Sequence, residues 1–368
     1  MRHYKYFLIL TVFLSLTVSE ALCQSIGPYQ LSKLNKEGIP PLLKEIKTKQ
    51  QWDFKKEEIR KIWLDVLGGL PVTRPGVGYK IIAETRESSY IRKKIIFNTI
   101  DGDSVTAFLL IPNTGKAGKK KYPAILAMQP TNESGKSAVA TLYEENGTNR
   151  HYGLDLVLRG YVVLAPDDLT SGERIYPGEK YFHSAPFYEK HPEWTIIAKT
   201  IVDHMQAIDL LQHLDFVDKD KIGVIGHSFG GYNVFFQSSV DPRIKVVISS
   251  CGLSPFTGDP NPARWGIRDW YTHFPVMTRY LNRDSVPFEM NEIVALSAPT
   301  PMFFYSAQND KIFPQWISIG ETFKDIHSLY EWLGYGNKFQ FAIGAGGHDF
   351  PQEVRNWAYD FLDRYLKK

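Results

Sequence analysis

Short runs of apolar residues recur along the chain from about Tyr79 onward, separated by turn residues such as Asp101-Gly102. Such runs between turn residues are typical of β-strands. The run Pro123–Met128 is apolar throughout, which indicates a strand buried on both faces. The pattern predicts strands at Lys80–Ala83, Ile91–Phe97, Ser104–Ile111, Pro123–Met128, Gly160–Ala165, Lys221–Gly226, Ile244–Ser250, Pro301–Tyr305 and Phe339–Ile343.

A second pattern, with apolar residues at steps of three and four, falls between the later strands and predicts helices. Its clearest members are Ile197, Ile201, Met205, Ile208 and Leu211. Helices are also predicted over Phe229–Val240 and from Val354 to Tyr365. Strands that alternate with helices form a mostly parallel, doubly wound sheet, so we expect an α/β fold that begins with antiparallel strands.

Two segments stand outside this alternation. Residues 24–75 are charged and carry a helical pattern around Trp52 and Trp63, which predicts an N-terminal helical arm before a main domain at 76–368. Residues 252–298 lack strand periodicity and are rich in aromatic side chains. This insertion is expected to be a cap over a site, with surface filler as the alternative.

The composition, 43% hydrophobic and 23% charged over 368 residues, is that of a globular protein. A formal net charge of +3 gives no reason to expect binding to nucleic acid or to an anionic membrane. Cys23 and Cys251 are the two cysteines. Cys251 follows an apolar run and is predicted to be a small buried residue.

The first residues are typical of a signal peptide. Arg2 and Lys5 precede an uncharged apolar stretch from Phe7 to Val18, and cleavage before Gln24 would remove residues 1–23. The stretch is too short to span a bilayer as a helix. We therefore expect export to the periplasm or the extracellular space, without stable membrane insertion. An uncleaved anchor and a lipid on Cys23 are the alternatives.

The sequence Gly226-His227-Ser228-Phe229-Gly230 follows a predicted strand and opens a predicted helix. This is the context in which G-x-S-x-G presents a nucleophilic serine on a strained turn, where flanking glycines leave the required space. An ordinary serine in a tight turn is the alternative. His227 points away from the nucleophile's direction and is expected to pack behind it.

The chain from about Trp52 onward resembles the α/β-hydrolase superfamily, most closely the branch of dienelactone hydrolases, acetyl xylan esterases and cephalosporin-deacetylase-like proteins. The matching stretches are 159–167, 171–174, 218–231 and 309–314, in the family's order. The resemblance implies the α/β-hydrolase fold for residues 76–368. It also implies a catalytic triad in the chain order serine, acid, histidine.

In that order the acid should follow a late strand and the histidine should follow the last one. Asp310 comes just after Pro301–Tyr305, in a stretch similar to the family's Asp-x-x-Phe-Pro. His348 ends a glycine-rich loop before the closing helix. Asp325 is a rival acid, but its helical pattern predicts that it is exposed. The resemblance thus implies Ser228 as nucleophile, Asp310 as orienting acid and His348 as base.

Two backbone amides should stabilise the negative oxygen that develops during ester cleavage. One is that of Phe229, directly after the nucleophile. The other should come from the loop after Pro123–Met128, where many relatives have His-Gly and this chain has Gln129-Pro130. Proline has no N–H to donate. Thr131 is therefore the expected second donor, with Gln129 as the alternative.

Four residues are candidates for substrate binding because of where they lie in the chain. Arg174 could hold an anionic group such as a uronate carboxylate, or pair with Glu173 or Asp168 as scaffold. Three aromatic residues of the insertion could stack on sugar rings or form the insertion's own core. These are Trp265, Trp270 and Tyr271. The sequence holds no His-Glu-x-x-His and no closely spaced cysteine pair, so neither a metal nor another cofactor is expected.

The sequence therefore predicts an exported serine esterase that removes acyl or methyl esters from a complex carbohydrate, a polysaccharide or an oligosaccharide. Three alternatives stay open: a serine peptidase of the prolyl-oligopeptidase type, a hydrolase of small lactones or antibiotic esters, and a catalytically silent binding protein. The peptidases usually carry a propeller domain, for which 368 residues leave no room.

Overall fold

The structure is a computed structural model that describes residues 27–113, 121–142 and 150–368. The predicted signal peptide and its cleavage site lie outside these residues. Among the helices that are described, none is both long and apolar enough to cross a bilayer.

Strands follow the predicted pattern closely and add two short ones. The strands within the described residues are β1 (Tyr29–Gln30), β2 (Tyr79–Arg86), β3 (Tyr90–Asn98), β4 (Ser104–Pro112), β5 (Tyr122–Met128), β6 (Val162–Pro166), β7 (Val217–His227), β8 (Val246–Ser250), β9 (Ser285–Val286), β10 (Met302–Ala307) and β11 (Phe339–Gly344). Every strand that the sequence predicts is present, which confirms the alternating pattern as a guide to this fold.

Nine of these strands form one sheet in the order β11-β10-β8-β7-β5-β6-β4-β3-β2. The strands from β11 to β6 are parallel to one another, whereas the pairs β6–β4, β4–β3 and β3–β2 are antiparallel. β5 lies between β6 and β7, so the chain winds outward from it in both directions. In sheets of this kind, ligands bind at the carboxyl ends of the strands beside such a switch point.

Helices cover both faces of the sheet. Those in the described residues are α1 (Leu31–Glu37), α2 (Lys49–Leu67), α3 (Ser137–Ala140), α4 (Tyr152–Leu158), α5 (Ala185–Lys190), α6 (Ile196–His213), α7 (Phe229–Ser238), α8 (Pro275–Leu281), α9 (Met290–Ala295), α10 (Trp316–Trp332) and α11 (Gln352–Leu366). The predicted helix around Ile201 is α6, the one after Ser228 is α7, and the closing helix is α11.

Alternate residues of the central strands enter two separate hydrophobic clusters. Leu126 and Val224 belong to one cluster, while their neighbours Ile125 and Ile225 belong to the other. Successive side chains of a strand point to opposite faces, so a sheet that is covered on both sides must be apolar at consecutive positions. This explains the uninterrupted apolar run in β5.

The N-terminal arm and the insertion share a core with the main domain. Trp63 of α2 is fully buried, and its ring lies 4.9 Å from that of Phe236 in α7 and 5.6 Å from that of Phe274 in the insertion. In addition, β1 of the arm pairs antiparallel with β9 of the insertion. These contacts tie both segments to the helix that follows the predicted nucleophile.

Candidate active site

The turn from β7 into α7 places Ser228 beyond the carboxyl end of the sheet. Its backbone has φ 57° and ψ −115°, a conformation that is strained for any residue other than glycine. The Ser228 N–H donates to the Ser250 carbonyl at the end of β8, at 2.8 Å. A Cβ on Gly226 would lie 2.3 Å from the Gly230 carbonyl carbon. The sharp turn therefore requires glycine beside the serine.

Three side chains from distant parts of the chain meet at this edge. His348 Nε2 lies 2.7 Å from Ser228 Oγ, and His348 Nδ1 lies 2.6 Å from Asp310 Oδ2. Asp310 follows β10 and His348 follows β11, so both enter from the carboxyl edge. Ser228 and His348 are half-buried, whereas Asp310 is buried. The geometry is that of a hydroxyl, a base and an orienting acid.

The surroundings of Asp310 keep it ionised. Burial alone would raise the pKa of Asp310, but the hydrogen bond and the charge of His348 lower it. The backbone N–H groups of Ile312 and Phe313 act in the same direction, since both donate to Asp310 Oδ1. The pKa of Asp310 is lowered as a result. An ionised acid accepts the Nδ1–H of His348 and leaves Nε2 free to take a proton.

The histidine loop is held by Arg150, which the sequence analysis missed, and by Cys251. Arg150 donates to the His348 carbonyl at 3.2 Å and pairs with Asp349 at 2.7 Å. On the other side, the Cys251 thiol donates to the Asp349 carbonyl at 3.4 Å. Cys251 is buried as predicted, and burial raises its pKa. Arg150 carries no sequence signal because its partners are almost 200 positions away.

His227 packs behind the site as expected. It is fully buried, and its ring lies 4.9 Å from that of His348. Burial, followed by the charges of Arg150 and His348, lowers the pKa of His227 well below its usual value. Its Nδ1 is hydrogen-bonded to Ser250 Oγ at 2.9 Å. A neutral ring at this position places no second charge beside His348.

The loop after β5 lies directly against the elbow. A Cβ on Gly230 would come within 2.8 Å of the Gln129 carbonyl oxygen. The loop is stiffened by a hydrogen bond from Asn132 Nδ2 to the Pro130 carbonyl, at 2.7 Å. Gln129 is fully buried and Thr131 is exposed. The amide of Phe229 opens α7, and the first N–H groups of a helix have no partner within it.

Arg174 lies in a network of charges that pair with one another. Its guanidinium contacts Asp103 at 2.6 Å and Asp203 at 2.8 Å, and Lys199 contacts both of these carboxylates. Only 5% of the Arg174 side chain is exposed. Of the two roles considered for Arg174, the structure favours the scaffold, although the partners are not Glu173 or Asp168. We do not propose it as a substrate ligand.

The aromatic residues of the insertion divide into two groups. Trp265 and Tyr271 are fully buried against α7, with ring separations of 5.2 Å from Trp265 to Tyr232 and 5.5 Å from Tyr271 to Phe229. Their placement favours the core alternative over sugar stacking. Trp270 is 37% exposed and remains available to a ligand.

The rival acid Asp325 is not exposed as predicted but half-buried, because it joins α10 to the arm. Its carboxylate accepts from the Leu42 N–H at 3.1 Å and from Asn291 Nδ2 at 2.8 Å. Burial raises its pKa, against the hydrogen bonds from Asn291 and Leu42. These contacts give Asp325 a structural role between the arm and the insertion.

In the described part of the chain, one group of potential metal ligands comes together at the site. Atoms of Cys251, Asp310 and His348 lie within 4.8 Å of one another. However, His348 Nδ1 and Asp310 Oδ2 are 2.6 Å apart, whereas two ligands of one tetrahedral zinc ion are separated by about 3.4 Å. Hydrogen bonding explains this group better than metal binding.

A doubly wound sheet, an elbow after a central strand and a serine–histidine–aspartate contact at the carboxyl edge define an α/β-hydrolase. The model of the Abhydrolase family matches residues 37–315, so this chain belongs to the Abhydrolase family. The match confirms the resemblance to the α/β-hydrolase superfamily.

Individual relatives are distant. The protein named "Putative hydrolase YtaP" of Bacillus subtilis strain 168 is 24% identical over 312 residues, which cover 84% of this chain and 99% of that protein. A glucuronoyl esterase from Solibacter usitatus superimposes with a TM-score of 0.66 at 18% identity, covering 86% of this chain and 94% of the esterase. Acetyl xylan esterase 1 from a Thermoanaerobacterium species superimposes with a TM-score of 0.56 at 16% identity, covering 91% of this chain and 98% of that esterase. At such identities the structures establish a common fold.

Proposed function

We propose that this protein is a serine carboxylic-ester hydrolase that removes acyl or methyl esters from a complex carbohydrate. The observation that carries the proposal is the unbroken series of hydrogen bonds from Asp310 through His348 to the half-buried hydroxyl of Ser228. This series ends at the edge of the sheet where substrates of α/β folds bind.

The geometry supports the following reaction. His348 Nε2 takes the Ser228 proton while Ser228 Oγ attacks the ester carbonyl carbon, and Asp310 stabilises the resulting imidazolium. The tetrahedral intermediate collapses, and His348 gives the proton to the departing alcohol. Water then loses a proton to His348 and attacks the acyl-enzyme. As this second tetrahedral intermediate collapses, His348 returns the proton to Ser228 Oγ and the carboxylic acid is released.

The oxyanion is stabilised by the amide of Phe229 together with an amide of the loop after β5. For the second donor we propose the amide of Thr131, with that of Gln129 as the alternative. Removing one such donor typically costs about 3–4 kcal/mol of transition-state stabilisation. Since both amides belong to the backbone, the loop conformation and not a side chain would set their position.

A carbohydrate ester is the proposed substrate class because structures with this fold include a glucuronoyl esterase and an acetyl xylan esterase. The signal-peptide pattern of residues 1–23 supports export, which would bring the enzyme to extracellular or periplasmic glycans. The exposed Trp270 offers an aromatic surface to a sugar.

A fluorophosphonate probe and a substrate panel test the proposal together. The probe should label the wild-type protein at Ser228 and leave the S228A variant unlabelled. The panel should contain acetylated, feruloylated and methyl-esterified glycans, with a peptide anilide and a lactone as competing classes. Hydrolysis of a glycan ester supports the proposal. Absence of labelling would point to a silent binding protein, and preference for the anilide or the lactone would replace the substrate class.

A further inference from the structure

Arginines around the core of this protein are generally neutralised by carboxylates. The pairs are Arg174 with Asp203, Arg243 with Asp241, Arg264 with Asp259 and Arg355 with Asp155. Arg268 in the insertion differs, because no carboxylate of the described residues forms an ion pair with it and its neighbour Asp269 is exposed. A half-buried arginine remains charged and gains from any anion that can reach it.

The guanidinium of Arg268 is held in a fixed orientation. Nε donates to the Tyr271 carbonyl at 2.9 Å, and Nη2 contacts His273 Nδ1 at 3.2 Å. The guanidinium carbon lies 4.1 Å from the centre of the Trp270 ring, which is a close cation–π contact. These contacts use the edge of the guanidinium that Nε and Nη2 form. The other edge, formed by Nη1 and the second hydrogen of Nη2, has the geometry that binds a carboxylate in two parallel hydrogen bonds.

The contacts of this arginine connect it to elements that leave the carboxyl edge of the sheet. Its partner His273 is hydrogen-bonded through Nε2 to the Tyr232 hydroxyl at 2.7 Å, and Tyr232 is on the first turn of α7. The Trp270 carbonyl accepts from the N–H of Ser184, in the segment that follows β6. Both α7 and that segment leave the carboxyl edge of the sheet, where Ser228 is presented.

Burial supports an anionic ligand here. Burial lowers the pKa of Arg268 and the nearby charge of Arg264 adds to this effect, whereas Tyr232, Tyr271 and the exposed Asp269 act in the opposite direction without overcoming burial. In contrast, Asp203 and Asp103 overcome the effect of burial at Arg174 and raise its pKa. The charge of Arg268 is therefore the less well compensated of the two.

We propose that Arg268 and Trp270 bind a sugar of the substrate that carries a free carboxylate, next to the ester that is cleaved. The guanidinium would bind the carboxylate, and the exposed part of the indole would pack against the sugar ring. This inference rests on the proposed ester-hydrolase function and adds to it a preference for acidic glycans. The group that Arg268 recognises is an unesterified carboxylate, which is distinct from the ester group that reacts with Ser228.

Calorimetric titration of the S228A variant with digalacturonate and with its dimethyl ester tests the inference directly. Digalacturonate should bind about 10- to 100-fold more tightly, the range typical of a charge-assisted hydrogen-bonded pair. The double variant S228A/R268Q should lose this difference. S228A/R268K keeps the positive charge but lacks the two parallel N–H donors of the guanidinium, and it should retain part of the difference in affinity. S228A/R279Q is the matched control, because Arg279 is an exposed arginine of the same insertion, and the difference should persist.

A second measurement separates this inference from the proposed function. In the wild type, digalacturonate should competitively inhibit hydrolysis of p-nitrophenyl acetate. If the wild type hydrolyses the neutral ester but binds both disaccharides equally, or if R268Q and R268K keep the full preference, the carboxylate site is refuted and the esterase stands. If digalacturonate binds through Arg268 but no ester is hydrolysed, the proposed function fails and the carboxylate site remains.

Discussion

Two buried carboxylates in this protein, Asp310 and Asp203, have similar electrostatic surroundings and different consequences. Burial raises the pKa of each, yet in both cases neighbouring donors and positive charge lower it overall. Asp310 contacts His348, whose other nitrogen reaches a half-buried hydroxyl. Asp203 contacts Lys199 and Arg174, which are both buried. The first network therefore ends at a group that a substrate can reach, whereas the charges of the second pair with one another.

The comparison shows that a perturbed pKa alone does not identify a catalytic group, since structural ion pairs produce the same shift. What distinguishes the two networks is an uncommitted end at the carboxyl edge of the sheet. Substitutions in the first should therefore change the rate of reaction, and substitutions in the second should change the free energy of unfolding. The following predictions test that separation.

The largest effect is expected for S228A. Removing the nucleophile should lower kcat by about six orders of magnitude, because the other members of a triad contribute little without it. Urea unfolding of the same variant should give nearly the wild-type free energy, since the side chain is half-buried and makes its hydrogen bond to His348 alone among the described residues. Residual activity within a hundredfold of the wild type would exclude Ser228 as the nucleophile.

For D310N we expect a loss of about 10⁴-fold in kcat. The amide would favour the wrong histidine tautomer and would not stabilise the imidazolium. The three side chains would therefore stay in place, but the proton transfer from Ser228 to His348 would be impaired. The matched control is D325N, which makes the same change at a half-buried acid whose contacts are structural. Hydrolysis of p-nitrophenyl acetate should be retained in D325N. Equal losses in both variants would indicate a general structural effect.

Substitution of Arg174 should act on stability. In R174M, Asp203 and the adjoining Asp103 lose one of their two cationic partners, and breaking a buried pair in this way typically costs about 3–5 kcal/mol. Urea unfolding would measure this loss, while kcat of the folded protein should remain within a few-fold. A stable R174M protein with a greatly raised KM would instead assign Arg174 to the substrate.

The contrast between the two networks also explains which parts of the fold and of the candidate site could be predicted from the sequence. The elbow is contiguous, so its glycines, serine and flanking strand appear together in the chain, and Asp310 and His348 follow at the ends of recognisable strands. The partners of Arg174, Asp103 and Asp203, are 71 and 29 positions away in the chain, and no periodic pattern in the sequence predicts these contacts. The pairing of β1 with β9 joins residues 29 and 286 through two-residue strands, which are too short to show an alternating pattern.

A third buried acid sharpens the comparison because the positive charge near it, that of Lys55, does not overcome the effect of burial. Glu292 of α9 accepts from the Tyr29 hydroxyl at 2.6 Å and from the Glu289 N–H at 3.0 Å. Burial raises the pKa of Glu292 to about 7, against the hydrogen bonds from Tyr29 and Glu289 and the charge of Lys55. An acid whose pKa is raised on folding stabilises the protein fully below its unfolded pKa of 4.5, and this contribution is lost as the pH rises through 7.

Between pH 5 and pH 8 the free energy of unfolding should therefore fall, by up to roughly 3 kcal/mol from Glu292 alone. Urea unfolding at both pH values should show a smaller fall in E292Q, which stays neutral while preserving the acceptor for Tyr29. Part of the fall should remain, because burial also raises the pKa of Glu289. An identical fall in E292Q and the wild type would mean that Glu292 is ionised throughout. The contact between the arm and the insertion would then tolerate a buried charge that is stabilised by two hydrogen bonds and by the charge of Lys55.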